Sequence, residues 1–222
     1  KSSNEEAQEV AIKKIPRLSF PQALNKLFLK NSKPIVACGT HGKTTCTSLL
    51  AHALFCAGKD PGFLVGGIPI NFGESARLSS KKNGAPFVIE GDEYDTAYFD
   101  KQPKFLHYSA KLILATSLEF DHADIYENVE QISKAFSKLF SQVDSSGLII
   151  INSDSPKLLE ALKNSSTSAQ VITYGKSGTV RAADLDFNSN GISFTPVVEK
   201  EILEPIEIPL FGKHNLSNAL GC

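Results

Sequence analysis

Residues 34–45 of this chain read PIVACGTHGKTT, in which an apolar run precedes a loop with two glycines and the triplet Lys43-Thr44-Thr45. The apolar run predicts a buried strand, and the residues after Gly42 predict the first turn of a helix. Such a loop can direct backbone N–H groups inward, and a helix N-terminus adds unpaired donors and partial positive charge. The stretch therefore predicts a phosphate-binding loop (P-loop), in which Lys43 reaches the β- and γ-phosphates and the Thr44 hydroxyl faces Mg²⁺.

One position departs from the usual P-loop pattern, which has a glycine where this chain has Ala37. The order of strand, loop and helix around that position is intact. We therefore interpret the stretch as a nucleotide phosphate site. The alternative is an ordinary glycine-containing turn followed by a surface lysine.

Composition and charge exclude several classes of protein. The chain has 222 residues, of which 41% are hydrophobic, enough for one core or for a larger and a smaller one. Its 23 basic and 24 acidic residues are interspersed, so no nucleic-acid-binding surface is predicted. No apolar run approaches membrane-spanning length, no signal peptide opens the chain, and the four cysteines lack metal-site spacing. These features predict a cytoplasmic protein with reduced thiols and no membrane partner.

Short apolar runs alternate with helical patterns along most of the chain. The runs lack polar alternation, which is typical of parallel strands buried on both faces. We predict an α/β fold with a P-loop-containing, mostly parallel sheet, helices on both faces, and ligands at the carboxyl ends of the strands. From about residue 179, turn signals around Asn188-Ser189-Asn190-Gly191 predict a small antiparallel β add-on near the C-terminus. The runs are Phe63-Leu64-Val65, Phe87-Val88-Ile89, Leu112-Ile113-Leu114-Ala115, Leu148-Ile149-Ile150-Ile151 and Val171-Ile172-Thr173-Tyr174.

The ends of the chain differ in character from its middle. Residues 1–18 are mixed and charged, and we predict a linker or the remnant of a preceding domain, followed by one nucleotide-binding domain over 19–222. The chain begins with Lys1 and ends at Cys222 inside a helical pattern. We therefore expect a domain excised from a longer protein.

Two polar groups follow predicted strands and are candidates for metal binding. Glu90 directly follows an apolar strand, where its carboxylate can coordinate Mg²⁺ opposite the P-loop threonine. The neighbouring Asp92 and Glu93 remain open as further ligands, because Mg²⁺ sites typically use one or two carboxylates. His122 lies just past another apolar run, and a neutral imidazole there could ligate a second divalent ion.

Four segments, in this order, resemble the Mur ligases, a family of ATP-dependent amide-forming enzymes of peptidoglycan synthesis. Within that family, residues 66–73, 93–101 and 118–125 look most like the branch that recycles murein peptides. The four segments are Gly39-Thr40-His41-Gly42-Lys43-Thr44, Glu90-Gly91-Asp92-Glu93, Asp121-His122-Ala123-Asp124 and Gly212-Lys213-His214-Asn215-Leu216-Ser217-Asn218.

The resemblance implies three domains, of which this chain would be the central ATPase, with the C-terminal domain absent. It implies ATP and Mg²⁺ as cofactors, and UDP-N-acetylmuramate and the tripeptide L-Ala-γ-D-Glu-meso-diaminopimelate as substrates of the full-length enzyme, joined through an acyl phosphate. Lys43, Glu90 and His122 would be catalytic, and Thr44, Glu90 and His122 would hold metal. The fragment alone would not ligate. The implied ATP contacts are Gly39, Thr40, His41, Gly42, Lys43, Thr44 and Thr45, with His214 and Asn218 on the adenine side.

Two alternatives remain open at this point. The first is the branch of the family that joins UDP-N-acetylmuramate to L-alanine. The second is a nucleotide-binding regulatory domain without turnover, for which Ala37, and Ser117 in place of the family's usual asparagine, are the supporting features.

Overall fold

The computed structural model describes residues 4–81, 83–119 and 129–222, and these residues form an α/β fold built on one long mixed sheet. The strands are β1 (Lys33–Cys38), β2 (Gly62–Leu64), β3 (Ala76–Arg77), β4 (Pro86–Gly91), β5 (Asp95–Ala97), β6 (Asp100–Pro103), β7 (Leu112–Ala115), β8 (Leu148–Asn152), β9 (Gln170–Tyr174), β10 (Val180–Asn188), β11 (Gly191–Val198), β12 (Glu201–Ile202) and β13 (Ile206–Ile208). The α-helices are α1 (Glu5–Ile12), α2 (Phe20–Leu24), α3 (Lys43–Cys56), α4 (Val129–Ser141), α5 (Pro156–Lys163) and α6 (Lys213–Gly221).

Strand β1, which leads into the P-loop, lies well inside the main sheet. The strand order is β12-β11-β10-β9-β8-β7-β1-β4-β2-β3, and β13 pairs with β11. The strands from β9 to β2 in this order run parallel to one another. The predicted mostly parallel sheet is confirmed, and its P-loop strand is flanked by β7 and β4.

The sheet is covered on both faces, as its uninterrupted apolar strands predict. Along β1, Ile35 and Ala37 pack into the core on the face of α3, whereas Val36 and Cys38 pack into the core on the face of α4 and α5. This alternation follows from the pleat of a strand, which directs successive side chains to opposite faces. Every residue of β1 after Lys33 is therefore buried.

The helices form where the spacing of apolar residues predicts them. In α4 the buried residues recur at helical spacing and face the sheet. The helical segment before β1 begins as α2 and continues as a π-helical turn, Asn25–Leu29. Proline at the start of α2 is suited to a first turn, because its missing N–H would have no intrahelical acceptor there. The buried residues of α4 are Ile132, Phe136, Leu139 and Phe140.

The antiparallel part near the C-terminus continues the main sheet. Strand β10 pairs in parallel with β9 at Val180 and Tyr174, and then forms the predicted hairpin with β11. Strands β12 and β13 pair with β11 in antiparallel orientation. The add-on predicted from turn signals is therefore present, and it shares the hydrogen-bonded framework of the parallel strands.

A small second sheet and an N-terminal helix are features that the sequence analysis does not predict. Strands β5 and β6 pair as a two-stranded antiparallel sheet just after the Glu90 segment. Within residues 4–18, α1 is capped by the Asn4 side chain, which accepts a hydrogen bond from the Ala7 N–H at 3.0 Å. The Arg17 guanidinium lies 4.3 Å from the centre of the Phe99 ring and donates to the Tyr98 hydroxyl at 3.1 Å. The end of the predicted linker is thus attached to this second sheet.

Within the described ranges, no helix combines the length and the apolar character that crossing a membrane requires.

Candidate functional site

Three strand ends meet at one edge of the sheet. Strand β1 lies between β7 and β4, with Ala37 opposite Glu90 and Cys38 opposite Ala115. Because all three strands are parallel, the segments that leave their carboxyl ends are neighbours. These segments are the P-loop, Glu90 with the acidic residues after it, and residues 116–119 after β7.

The two P-loop glycines each occupy a backbone conformation and a space that suit no other residue. Gly39 has φ +140° and lies against the Thr116 side chain and the Ser117 backbone. Gly42, the residue before α3, has φ +84° and lies against the Asn218 amide of α6. A side chain at either position would be strained and would collide with these neighbours. The loop is therefore shaped by contact with both the β7 end and α6.

The residues after β7 hold the P-loop backbone in place. The Thr40 N–H donates to the Ser117 carbonyl at 3.0 Å, and the His41 N–H donates to the Ser117 hydroxyl at 3.1 Å. The Glu119 N–H donates to the Thr40 hydroxyl at 2.8 Å, and the Thr116 hydroxyl donates to the His41 carbonyl at 2.5 Å. Ser117, the departure from the family pattern, is therefore a direct partner of the loop.

The Thr44 hydroxyl and the Glu90 carboxylate are adjacent. Thr44 Oγ1 donates to Glu90 Oε2 at 3.0 Å, and the Gly66 N–H donates to Glu90 Oε1 at 2.6 Å. A hydroxyl and a carboxylate are the hard oxygen donors that Mg²⁺ prefers. This donor set fits the predicted metal, and the sequence analysis names both residues.

Lys43 forms a buried ion pair with Glu93. Its Nζ lies 3.0 Å from Glu93 Oε2 and 3.3 Å from Glu93 Oε1, and it donates to the Gly39 carbonyl at 2.7 Å. The side chains are 13% and 3% exposed, so the pair is largely removed from solvent. The other open acidic candidate, Asp92, pairs with Lys104 at 3.0 Å. Asp92 and Glu93, which the sequence leaves open as further metal ligands, thus each contact a lysine.

A cavity of about 520 Å³ extends from the P-loop to α6, within the size range of ligand pockets. It contains five of the predicted ATP contacts, from two segments far apart in the chain. A larger cavity of about 610 Å³ lies on the other side of α6, is lined by residues such as Lys176 and Arg181, and includes no P-loop residue. The smaller cavity borders the P-loop backbone, at which the sequence predicts a nucleotide. The five residues are His41, Gly42, Thr45, His214 and Asn218.

The start of α6 presents the second group of predicted contacts. Gly212 precedes the helix with φ +87°, a conformation that glycine adopts without strain, and the His214 ring packs close to it. Asn218 is buried, and its amide nitrogen donates to Asn215 Oδ1 at 3.2 Å. Its amide oxygen lies against Gly42, and both residues line the cavity. The motif on α6 and the P-loop therefore form one surface.

His122 and its neighbours Asp121, Ala123 and Asp124 lie outside the described residues. The metal-binding role of His122 therefore stays a prediction. Across residues 4–81, 83–119 and 129–222, no three His, Cys, Asp or Glu side chains cluster in a way that could hold a metal ion.

The base of the site is apolar and holds a neutral thiol. Cys38 is fully buried at the end of β1. Burial raises the pKa of this thiol far above its usual range; the Glu93 charge acts in the same direction, and the Lys43 charge opposes it. Cys38 is thus a small hydrophobic residue under the P-loop, a common role of a free cysteine.

Several contacts of the site are missed by the sequence analysis. These are the pairing of Lys43 with Glu93, the Gly66 N–H on Glu90, and the hydrogen bonds from the β7 end to the P-loop. A signal existed for the first, because Glu93 stands three positions after Glu90 in the same acidic segment. The others depend on where the fold places the Gly66 backbone and the hydroxyl groups of Thr40, Thr116 and Ser117, whose partners the sequence does not specify.

Comparison with known proteins assigns the chain to a family. Residues 38–222 match the Mur ligase middle domain. The chain is 35% identical over 213 residues to the UDP-N-acetylmuramate–L-alanyl-gamma-D-glutamyl-meso-2,6-diaminoheptandioate ligase of Escherichia coli (strain K12), covering 96% of this chain and 45% of that protein. It is 33% identical over 222 residues to the UDP-N-acetylmuramate–L-alanine ligase of Aquifex aeolicus (strain VF5), covering 99% of this chain and 46% of that protein.

A solved structure gives the same assignment. The crystal structure of the UDP-N-acetylmuramate:L-alanyl-gamma-D-glutamyl-meso-diaminopimelate ligase from Neisseria meningitides superposes with a TM-score of 0.88 at 36% identity, covering 100% of this chain and 69% of that chain. The present chain spans about half the length of the curated relatives it matches, 45% and 46% for the two above. By sequence and by fold, this chain belongs to the Mur ligase family and corresponds to its middle domain.

Proposed function

We propose that this chain is the ATP- and Mg²⁺-binding middle domain of a ligase that joins UDP-N-acetylmuramate to the tripeptide L-alanyl-γ-D-glutamyl-meso-diaminopimelate in peptidoglycan recycling. The observation that carries the proposal is the meeting of the P-loop, Glu90 and α6 at one sheet edge. The identity of 35% to the Escherichia coli ligase of that substrate pair supports the choice of substrates. The cytoplasm, where ATP is available, is the proposed location.

The proposed reaction has two steps. A carboxylate oxygen of UDP-N-acetylmuramate attacks the γ-phosphorus of ATP, so that ADP leaves and an acyl phosphate forms. The tripeptide amine then attacks the acyl carbon, inorganic phosphate leaves, and the amine loses a proton as the amide forms. Negative charge develops on the γ-phosphoryl oxygens in the first step, and catalysis consists largely of positioning and neutralising that charge.

Each part of the site has a role in this scheme. The Lys43 ammonium binds the β- and γ-phosphates, and the backbone of residues 39–45 cradles them. Thr44 and Glu90 would hold Mg²⁺, with His122 as a further metal ligand; a bound Mg²⁺ supplies positive charge at the transferring phosphoryl group. His214 and Asn218, which line the same cavity as the P-loop, would contact the adenine side of ATP.

The test is a ligation assay with the full-length protein. The protein is supplied with ATP, Mg²⁺ and UDP-N-acetylmuramate, and with either the free tripeptide or L-alanine, and phosphate release and amide product are measured. We expect release that depends on the tripeptide and exceeds the release with L-alanine. The chain of 222 residues alone serves as a control and should bind nucleotide without forming product. Nucleotide binding by the full-length protein without amide formation from either amine would contradict the proposal.

A second candidate is the ligase that adds L-alanine to UDP-N-acetylmuramate. The observation that favours it is the 33% identity to the Aquifex aeolicus protein across 99% of this chain, which is close to the identity with the tripeptide ligase. A preference for L-alanine in the same assay would transfer the assignment to this reaction.

A further inference from the structure

The P-loop lysine, Lys43, contacts both its own loop and a carboxylate outside the loop. Lys43 Nζ lies within hydrogen-bond distance of both Glu93 oxygens, at 3.0 and 3.3 Å, and of the Gly39 carbonyl at 2.7 Å. An ammonium has three N–H donors, and the two oxygens of one carboxylate can share a single donor. With one donor shared between the two Glu93 oxygens and one on the Gly39 carbonyl, one donor of Lys43 is left for a phosphate.

Burial makes the pairing with Glu93 persistent. The Glu93 residue is 2% exposed, so its carboxylate is almost completely withdrawn from water. If Lys43 moved away to meet a phosphate, the buried carboxylate would lose this ion pair, and removing one partner of a buried pair is strongly unfavourable. We therefore expect the contact to be kept when a nucleotide binds.

The backbone on both sides of Glu93 is fixed. The Phe105 N–H donates to the Asp92 carbonyl and the Lys104 N–H donates to the Tyr94 carbonyl, each at 3.3 Å. The Asp92 carboxylate also pairs with Lys104 at 3.0 Å. Partial burial opposes the charging of Lys104, but its hydrogen bond to Asp92, the charge of that carboxylate and the contacts with Tyr94 together outweigh this effect and raise the Lys104 pKa. Glu93 thus projects from an anchored segment.

Glu90 and Glu93 have different contacts, which indicate different roles. Glu90 contacts Thr44 and the Gly66 N–H, the positions expected around a metal, whereas Glu93 directs both oxygens at Lys43. We propose that Glu93 is a positioning residue of the reaction: it fixes the Lys43 ammonium over the P-loop so that one N–H meets the γ-phosphoryl group in the transition state. This inference rests on the proposed function and adds to it a residue that acts through Lys43.

The test compares three variants of the full-length protein in the ligation assay. Glu93→Gln keeps the shape and a hydrogen-bond acceptor but removes the charge, and Glu93→Ala removes both. Asp95→Asn is the matched control, because Asp95 lies in the same acidic segment but pairs with the exposed Lys101 at 2.6 Å. For each variant, kcat, the KM for ATP, the Mg²⁺ concentration at half-maximal rate and the thermal midpoint are measured, and the affinity for ATP·Mg²⁺ is determined by calorimetry.

We expect kcat to fall about 10-fold in Glu93→Gln and about 100-fold in Glu93→Ala, because a misplaced catalytic group costs rate. The KM for ATP and the calorimetric affinity should change by less than about threefold, since the interaction matters chiefly in the transition state. The Mg²⁺ dependence should be unchanged, and Asp95→Asn should equal the unmodified protein. The partial activity of Glu93→Gln is the response that loss of the fold would not produce.

Three results would overturn the inference. A kcat of folded Glu93→Gln and Glu93→Ala within about twofold of the unmodified protein would show that Lys43 needs no anchor. Recovery of activity at high Mg²⁺ would make Glu93 a metal ligand. A Glu93→Gln variant that loses its fold would make the residue structural. Failure of the proposed function itself is distinct, because it appears as absence of ligation by the unmodified protein.

Discussion

At the scale of single residues, the site depends on glycines that allow close approach. Gly42 has φ +84° and lies against the Asn218 amide, so it joins the P-loop to α6. Gly58, at the other end of α3, has φ +68°, but among the described residues no atom beyond its immediate chain neighbours lies within 4 Å of the place where a side chain would begin. The two positions share a left-handed backbone and differ in their neighbours, which makes them a matched pair.

Replacement of Gly42 by alanine should therefore weaken nucleotide binding, whereas replacement of Gly58 should not. Each substitution places a side chain in the left-handed region, at a cost of about 1–2 kcal/mol in unfolding free energy. Only Gly42→Ala also pushes Asn218 away from the loop, and we expect its affinity for ATP·Mg²⁺ to fall about tenfold or more, because the two segments line one cavity. Calorimetry and urea unfolding of the full-length variants measure the two effects. Equal nucleotide affinities in the two variants would show that contact between Gly42 and Asn218 is unimportant.

At the scale of elements, the two edges of the parallel sheet have separate tasks. The carboxyl ends of β1, β4 and β7 carry the site, whereas the turn before β8 lies at the amino ends. There Asp144 accepts the Ser146 N–H at 2.9 Å and pairs with Lys111 at 3.1 Å. The hydrogen bonds from Ser146, followed by the contact with Lys111, lower the pKa of Asp144 from 3.8 to about 2.

This turn should contribute to stability in a pH-dependent way. A carboxyl whose folded pKa is depressed stabilises the fold above its unfolded pKa, and the contribution disappears as the pH falls through the folded value. Asp144→Ala should therefore lower the melting temperature at pH 7, and the difference should shrink as the pH falls from 3.8 towards about 2. Melting curves between pH 7 and the lowest pH at which the protein is folded test this. Nucleotide affinity is the internal control and should be unchanged; a pH-independent difference would argue against the ionised carboxylate as the cause.

The strands were predictable from the sequence, whereas several of the contacts between elements were not. Strands β1, β4, β7, β8 and β9 each contain an apolar run, and the alternation of these runs with helical patterns identifies a parallel sheet. The bond from the Gly66 N–H to Glu90 could not be foreseen, because a backbone donor carries no residue preference. The pairing of β10 with β9 was equally hidden, since it depends on one parallel contact between Val180 and Tyr174. The chemical type of each site residue was therefore predictable, whereas the partner that it meets in the folded chain, such as Glu93 for Lys43, was not.

At the scale of the whole molecule, one long sheet connects two regions of different construction. The parallel strands bring together P-loop, Glu90 and the β7 end, and the antiparallel strands near the C-terminus extend the same sheet before the chain returns in α6. That return is what places His214 and Asn218 beside the P-loop, although they are remote from it in sequence. The proposed nucleotide site therefore depends on the path of the chain through the whole sheet as well as on the P-loop.

A crystal structure of the full-length protein with a non-hydrolysable ATP analogue and Mg²⁺ will show whether this edge of the sheet binds a metal-bound triphosphate. We predict the triphosphate on the backbone of residues 39–45, Mg²⁺ between Thr44 and Glu90, Lys43 still paired with Glu93, and the adenine beside His214 and Asn218. A nucleotide bound instead in the cavity lined by Lys176 and Arg181, with Thr44 and Glu90 free of metal, would contradict the account.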